Sequence, residues 1–562
     1  MRDNLALRLR GKRNDRAFWI IAFLFLLLQL IEIKLPGITC EDGFRALGGW
    51  CFGDCNFVEI KIFGRTLPTL FTFMWADIHG NLSHYLMMPF LVVFGQSHLA
   101  VRFFLIFCAI IALILVYYSI KELFDRRVSI LTIFLLIINV TFTAGVRYGN
   151  YHFFPQILCF SMGSLFCFLR YWKRHNGWYF YAGCLLLGLG TWLVAWFFWF
   201  LPPVILAGMT FHKEFRVKRI KLCVIGGVFF LLGASLLIAG IIWHDGTLGR
   251  FSMVKQIFSH FRMTYCGVDN LSYLNNLFFR TKTFLFSFLT GSSLMGSFLS
   301  SPTSFYRPNM LYPFLFMFSI LWLGVKLFIT KLAGFRKRIL LLFILFIGTF
   351  LLTAFTLSNL EPAKLYILYP FPQVVISLAV CSILERPQKI KLLRKLIIMP
   401  FLIIFLFLIA SDMILLRKYF EYESQTGGVL SFNDSTDAIY RLSDWLEENK
   451  ITRPITLSTF LNGNFFFLTE GKVNPIYPGY LWGRQQPFNE EAALTEFRKF
   501  LSGSKDNIYL VSYPLPDCEE MAFSLFKQLI KENSMEIRVK QHFYRRDGLL
   551  VYTAFSVNKR AE

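Results

Sequence analysis

Nine apolar runs, each close to the length of a membrane-crossing helix, alternate with short connections, and this alternation constrains the fold more than any motif does. The runs lie at 17–34, 99–118, 128–146, 151–170, 222–243, 311–329, 339–357, 365–383 and 397–416. Each approaches the roughly 20 residues that cross a hydrocarbon core of about 30 Å. A further run, 178–210, is long enough for two short spans bent near Gly190 or at Pro202 and Pro203. Counted as two, it brings the expected total to about eleven helices. A stretch at 284–299 reads as a re-entrant or additional helix.

The connections orient the bundle. The first run follows the basic segment MRDNLALRLRGKRNDR, which lacks the small-residue cleavage site of a removed signal peptide. That places the N-terminus in the cytoplasm, and every second connection is then basic: KELFDRR (121–127), RYWKRHN (170–176), FHKEFRVKRIK (211–221), TKLAGFRKR (330–338) and ERPQKIKLLRK (385–395). The net charge of +23 is thereby explained by topology, and nucleic acid is not expected as a partner. Segments 35–98 and 244–310 and the chain beyond 417 fall outside, as in a protein of a bacterial inner (plasma) membrane.

Residues 1–416 thus form a transmembrane domain and 417–562 a small extracytoplasmic α/β domain. In the latter, helical patterns at 435–450, 489–502 and 517–533 alternate with strand-like 454–460, 507–513 and 549–555. It carries no phosphate loop or metal-ligand spacing, and reads as a lid or packing module. In loop 35–98, FVEIKIFGRTLPTLFTFMW and HYLMMPFLVVFG are too short or interrupted to span and are expected as interfacial helices. Cys40, Cys51 and Cys55 share that loop, where an oxidising compartment permits a disulfide. The other cysteines read as small buried residues.

The chemistry-bearing residues sit at the outer boundary. Residues 38–50, ITCEDGFRALGGW, place Glu41 and Asp42 just after the first span, and WADIHGNLSHYLMMP adds Asp77 and His79 at the far end of the loop. Cations occur in otherwise charge-poor outer connections: Arg102, Arg147, Arg250, Arg262 and Lys364. Charges at the hydrocarbon boundary are costly and mark function. A carboxylate to take the proton from an attacking hydroxyl and cations to stabilise a departing phosphate are what transfer of a sugar from a polyprenyl phosphate requires. Both must sit at the membrane surface, because the lipid donor cannot leave it.

The order of these features resembles the C-type (GT-C) glycosyltransferases, in particular glycosyltransferase family 39, the protein O-mannosyltransferases and bacterial aminoarabinose transferases. The family places an acidic pair after the first span, as Glu41-Asp42 does in reversed order. DIHGNL (77–82) resembles its Asp-Val-His-Pro-Pro-Leu stretch without the prolines, FGQSHLAVR (94–102) its Phe-Gly-x-Ser-x-x-Ala-Val-Arg phrase, and KLYILYPFP (364–372) its basic residue before a Tyr-x-x-Pro run. The resemblance covers residues 17 to 416. It implies inverting transfer from a polyprenyl-phosphate sugar to a glycan, lipid or protein acceptor on the outer face. Asp42 or Glu41 would be the catalytic acid or base, and Arg102, Arg147, Arg250, Lys364 and Tyr366 would be candidates for the donor phosphate and lipid. Members often carry a second acidic residue after the third span, where this chain has Asn150 and His152. The Trp-Trp-Asp-Tyr-Gly signature of oligosaccharyltransferases is absent.

Two other readings compete. A ligase or polymerase moving a preassembled glycan from polyprenyl diphosphate would use similar cations. A transporter or flippase would need ionisable residues near the midplane and symmetric halves, whereas the charges here read at span ends. No cofactor is fixed by the residues. Glu41, Asp42, Asp77 and His79 are compatible with a divalent cation, with Arg and Lys alone as the slightly preferred alternative.

Overall fold

The computed structural model describes residues 15–35, 37, 43, 46, 58–62, 65–69, 74–76, 79–147, 154–211, 220–248, 264–265, 268–269, 273–291, 309–329, 332–355, 362–384, 391–428, 436–458, 461–476, 490–502, 507–513, 515 and 517–559. Helix α1 (Arg16–Leu30) leads to two small hairpins, β1 (Val58–Ile62) with β2 (Arg65–Thr69) and β3 (Met74–Ala76) with β4 (His79–Gly80), both antiparallel. Then come α2 (Leu82–Phe94), α3 (His98–Leu123), α4 (Arg126–Ile138), α5 (Val140–Arg147), α6 (Phe154–Arg174), α7 (Gly177–Leu193), a 3-10 turn at Ala195–Phe200, α8 (Leu201–Thr210) and α9 (Ile220–Leu248). A short hairpin of β5 (Thr264–Tyr265) and β6 (Val268–Asp269) precedes α10 (Tyr273–Thr283), which continues into a π-helical turn at Phe284–Phe288. Helices α11 (Leu311–Ile329) and α12 (Ala333–Thr353), a 3-10 turn at Pro362–Leu368, α13 (Phe371–Leu384) and the long α14 (Lys391–Thr426) complete the bundle.

Within the bundle α6 packs on α3 and α7, α7 on α9, α4 on α13, α13 on α11 and α8 on α12. Among the described residues five helices are long and apolar enough to cross a membrane, and the bent α4–α5 pair makes a sixth; α1, α2 and the 196–210 segment are shorter apolar helices. Their outer faces expose Val224, Leu231, Leu321, Phe328 and Phe407, the lipid-facing surface such a bundle requires. The chain is an integral membrane protein.

Local chemistry sets the breaks. The 128–146 run bends by 63° between α4 and α5, because the Asn139 side chain accepts a hydrogen bond from the Phe142 amide at 3.2 Å and restarts the helix as an N-cap does. In the 178–210 run the break falls at Val194, whose backbone is extended, close to Gly190. Pro202 and Pro203 lie in the first turn of α8, where the missing amide costs nothing. Residues 58–62 and 65–69, expected within an interfacial helix, pair as the β1–β2 hairpin instead. VEIKI alternates apolar and charged residues with the period of a strand, a local pattern that outweighed overall amphipathicity. HYLMMPFLVVF does form helix α2. The 284–299 stretch is described only to Gly291, as the π-helical turn and a bend.

Charge also lies within a span. Asp412, midway along the candidate span Met399–Thr426, is buried and accepts from Asn309 Nδ2 at 2.7 Å. The reading that all charges sit at span ends is corrected by this residue: SDM interrupts an apolar stretch too briefly to register as a boundary.

The C-terminal domain comprises α15 (Ala438–Glu448), β7 (Ile455–Thr456), α16 (Asn462–Leu468), α17 (Glu490–Ser502), β8 (Ile508–Ser512), α18 (Asp517–Glu532), β9 (Met535–Tyr544) and β10 (Leu550–Lys559). Its sheet runs β7-β8-β10-β9, with β7 parallel to β8 and the other pairs antiparallel. Leu442, Phe465 and Val551 pack one face and Phe497, Phe526 and Phe555 the other. Strand β9 and helix α16 are absent from the sequence reading, although MEIRVK in MEIRVKQHFY alternates apolar and charged residues with the period of a strand; NGNFFFL opens with the turn-forming Asn-Gly-Asn and spans only seven residues, too short for a helical period to show.

Candidate functional site

The two ends of the bundle can be told apart by their ion pairs. At one end Asp15, preceding α1, receives hydrogen bonds from Tyr117 (2.6 Å) and Lys121 (2.7 Å) near the end of α3. Glu122 there meets Arg170 and Lys173 from the end of α6. At the opposite end stand the C-terminus of α1, the start of α3, the end of α5, the end of α14 and the C-terminal domain.

Arg102 and Arg147 are both at this second end, and the structure brings them together. Arg147 closes α5 with its guanidinium buried, Nε 3.0 Å from the equally buried Glu423 Oε2 on α14. Its terminal nitrogens donate to the carbonyls of Ile31 (2.8 Å), Glu32 (3.0 Å) and Leu35 (2.8 Å). With a longer bond to the Gln29 carbonyl in the last turn of α1 (3.4 Å), these contacts tie down the chain where it leaves that helix. Arg102, one turn into α3, donates to the Arg147 carbonyl and to the Gly37 carbonyl (3.3 Å). Tyr419 donates to Glu423 Oε1 at 2.9 Å, fixing the carboxylate from its other side. The two arginines therefore hold protein carbonyls along 31–37, the segment that in sequence leads directly to Glu41 and Asp42.

Glu423 went unnoticed in the sequence, although RKYFEYES places it at the end of the last apolar run. Its signal was a carboxylate at the same boundary depth as the arginines. Glu32 was missed likewise: it accepts from Ser424 Oγ at 2.6 Å and lies 3.4 Å from Arg546 of the C-terminal domain.

Tyr366 is buried in an aromatic group beside Phe154 (centroids 4.3 Å), Phe288 and Tyr369, close to Gly145 of α5. The backbone of Lys364 lies in the same 3-10 turn, with its side chain outside the described residues. Phe288 of this group lies in the π-helical turn that continues α10, whose Arg280 is fully buried. Burial pulls Arg280 down to about 10, which leaves it a cation at neutral pH. Sequence reading passed over Arg280 because LFFRTKT does not resemble a boundary.

The backbone of His79 is placed in β4, where Gly80 rests against the Trp192 backbone carbonyl so closely that a Cβ would overlap it. The His79 side chain, and Glu41, Asp42, Asp77, His152, Arg250, Arg262, Cys40, Cys51 and Cys55, lie outside the described residues. Among the described residues no group of three His, Cys, Asp or Glu side chains is arranged to hold a metal.

This geometry, a helical bundle with an outer loop tied to its rim and an α/β domain above, is the C-type glycosyltransferase fold. Residues 79–243 match the model of the dolichyl-phosphate-mannose-protein mannosyltransferase family. The chain is similar to the crystal structure of ArnT from Cupriavidus metallidurans bound to undecaprenyl phosphate, with a TM-score of 0.58 and 10% identity over 96% of this chain and 98% of that one. It is also similar to the oligosaccharyltransferase AglB from Archaeoglobus fulgidus in complex with an inhibitory peptide and a dolichol-phosphate, with a TM-score of 0.54 and 13% identity over 94% of this chain and 73% of that one. No curated protein sequence matches the chain.

Proposed function

We propose that this protein transfers a sugar from a polyprenyl-phosphate donor to an acceptor at the membrane face opposite the basic connections, the extracytoplasmic face of a bacterial inner membrane, with inversion. The observation that carries the reading is the pair of buried arginines fixing segment 31–37, because they spend two costly cations on the few residues that precede Glu41-Asp42. The lipid phosphates named with the similar structures support the same donor class.

In this reading Asp42, with Glu41 beside it, accepts the proton of the acceptor hydroxyl. The freed oxygen attacks the anomeric carbon from the face opposite the phosphate. The carbon–oxygen bond to phosphate then breaks with its electron pair leaving on polyprenyl phosphate, and the proton passes from the carboxylate to water. Lys364 and Arg250 supply positive charge to the departing phosphate. Arg280, on the helix that continues into the π-helical turn packed on the Lys364 turn, is a further cation for that role. Arg102 and Arg147, engaged with carbonyls and Glu423, act by holding the acidic segment, and Tyr366 lines the aromatic wall beside the lipid. Asp77, His79 and His152 remain acceptor-side candidates, and no step requires a divalent cation.

The test is transfer of radiolabelled sugar from a panel of polyprenyl-phosphate donors by the full chain in liposomes, with membrane extract as acceptor. Wild type is expected to label a product and Asp42→Asn to lose about 10²-fold or more of the rate while remaining folded. Full turnover by Asp42→Asn overturns the assignment. A labelled product only from diphosphate-linked glycans would assign whole-glycan transfer instead, the activity named for the similar AglB structure.

A further inference from the structure

The described residues that flank the acidic pair are held by the C-terminal domain as well as by the bundle. Arg546, in the turn between β9 and β10, reaches Glu32 and also binds Asp437 (2.8 Å) and the Ser424 carbonyl (3.1 Å). Tyr440 of α15 donates to the Lys34 carbonyl at 3.2 Å. Past the pair, Gly43 lies against the Gly463 carbonyl and the Asn464 amide of α16, so closely that a Cβ on Gly43 would overlap the Gly463 backbone. Ala46 is buried among Met87 and Leu91 of α2, Val101 and Phe104 of α3, and Phe467 of α16. In the chain Asp42 immediately precedes Gly43, the residue seated on α16.

We propose that the C-terminal domain is a working part of the transferase, in which α16 forms the seat that sets the position of the acidic pair, with Gly43 as the positioning residue. This inference rests on the glycosyl-transfer reading above. The contact is backbone on backbone, and overlap with backbone cannot be relieved by a side-chain rotation. Gly43 is needed there because any other residue would push the chain off the seat. A carboxylate displaced by about 1 Å from its attacking hydroxyl loses much of the benefit of fixed orientation. The domain need touch neither donor nor acceptor to govern the rate.

The experiment pairs two readouts on the full chain in liposomes or nanodiscs, for wild type, Gly43→Ala and Phe467→Ala, the last loosening the seat without placing anything against it. Amide exchange is followed in peptides covering 38–50, with β8 and β10 as an internal control for folding of the domain. Transfer is followed as kcat and donor KM. The proposal expects faster exchange in 38–50 with the control strands unchanged, and a fall in kcat of about tenfold to a hundredfold with donor KM held within about twofold. Exchange in 38–50 equal to wild type in both variants overturns the seat. Faster exchange with unchanged kcat shows a seat without influence on the reaction and overturns the positioning role. If Gly43→Ala fails to fold, Phe467→Ala decides by the same readouts. Absence of transfer by wild type would sink the glycosyl-transfer reading and the positioning role with it, while the exchange comparison still decides whether α16 holds the segment.

Discussion

At one end of the bundle Glu122 pairs with Lys173 at 2.7 Å, and the lysine side chain is 49% exposed. At the other end Arg147 and Glu423 face each other at 3.0 Å, only 2% and 4% exposed. The first kind of pair is solvated, exchangeable and worth little in stability; a lysine there serves topology, since its sign fixes which side of the membrane a connection occupies. The second kind is expensive to bury and unforgiving when broken. It is kept where geometry matters, on the backbone that leads from α1 to the acidic pair. The same residue types thus do different work at the two faces, and burial is what separates them.

The comparison breaks most visibly at Arg147. Arg147→Ala leaves Glu423 buried without its cation and frees the carbonyls of Ile31, Glu32 and Leu35. The expected loss is about 3–5 kcal/mol, read as a fall in unfolding midpoint in detergent micelles. The double replacement Arg147→Met with Glu423→Leu should recover part of that loss, because no uncompensated charge remains. A single variant as stable as wild type would mean that the pair is no more than a surface interaction.

How much of this was legible follows from the same distinction. The alternation of apolar runs and basic connections is written locally, and the helices fall where it says: α11 occupies 311–329 as read, and α3, α6 and α9 enclose or overlap their runs closely. Arg102 and Arg147 were legible as costly charges, but their partners were not. Glu423 is 276 residues away from Arg147, and a backbone carbonyl has no signature in sequence at all. The family resemblance made both arginines candidates for the donor phosphate, a common reason for a cation at a membrane surface, and gave no sign of the carbonyls they hold. The role of α16 was hidden twice over, since it is a seven-residue helix and its contact with Gly43 uses backbone.

A smaller effect sharpens the contrast at the rim. Gly80 sits against the backbone carbonyl of Trp192, and the Trp192 side chain is buried against Tyr85. Gly80→Ala should cost about 1–3 kcal/mol by forced displacement of the β3–β4 hairpin. If thermal unfolding of Gly80→Ala matches wild type, the hairpin is loosely docked, and the bundle rim is rigid only where the arginines hold it.

The smallest effect belongs to the solvated face and has a definite pH dependence. Burial by itself would raise the Asp15 carboxyl, but the hydrogen bonds from Lys121 and Tyr117 outweigh it and hold the group below its ordinary value of 3.8. A carboxyl depressed in the folded state contributes stability that is present above the unfolded value and is lost as pH falls through the folded one. Asp15→Asn should therefore differ from wild type by less than about 1 kcal/mol at neutral pH, and the gap should close below about pH 4 as wild-type Asp15 is protonated. Unfolding of both proteins across pH 3 to 7 measures it. A gap of several kcal/mol at pH 7 would place Asp15 with Glu423 among the buried charges and erase the distinction between the two faces. With Lys121 32% exposed and Asp15 19% exposed, water reaches both partners, and solvent screening keeps the pair weak while its charge still marks the side of the membrane on which it lies.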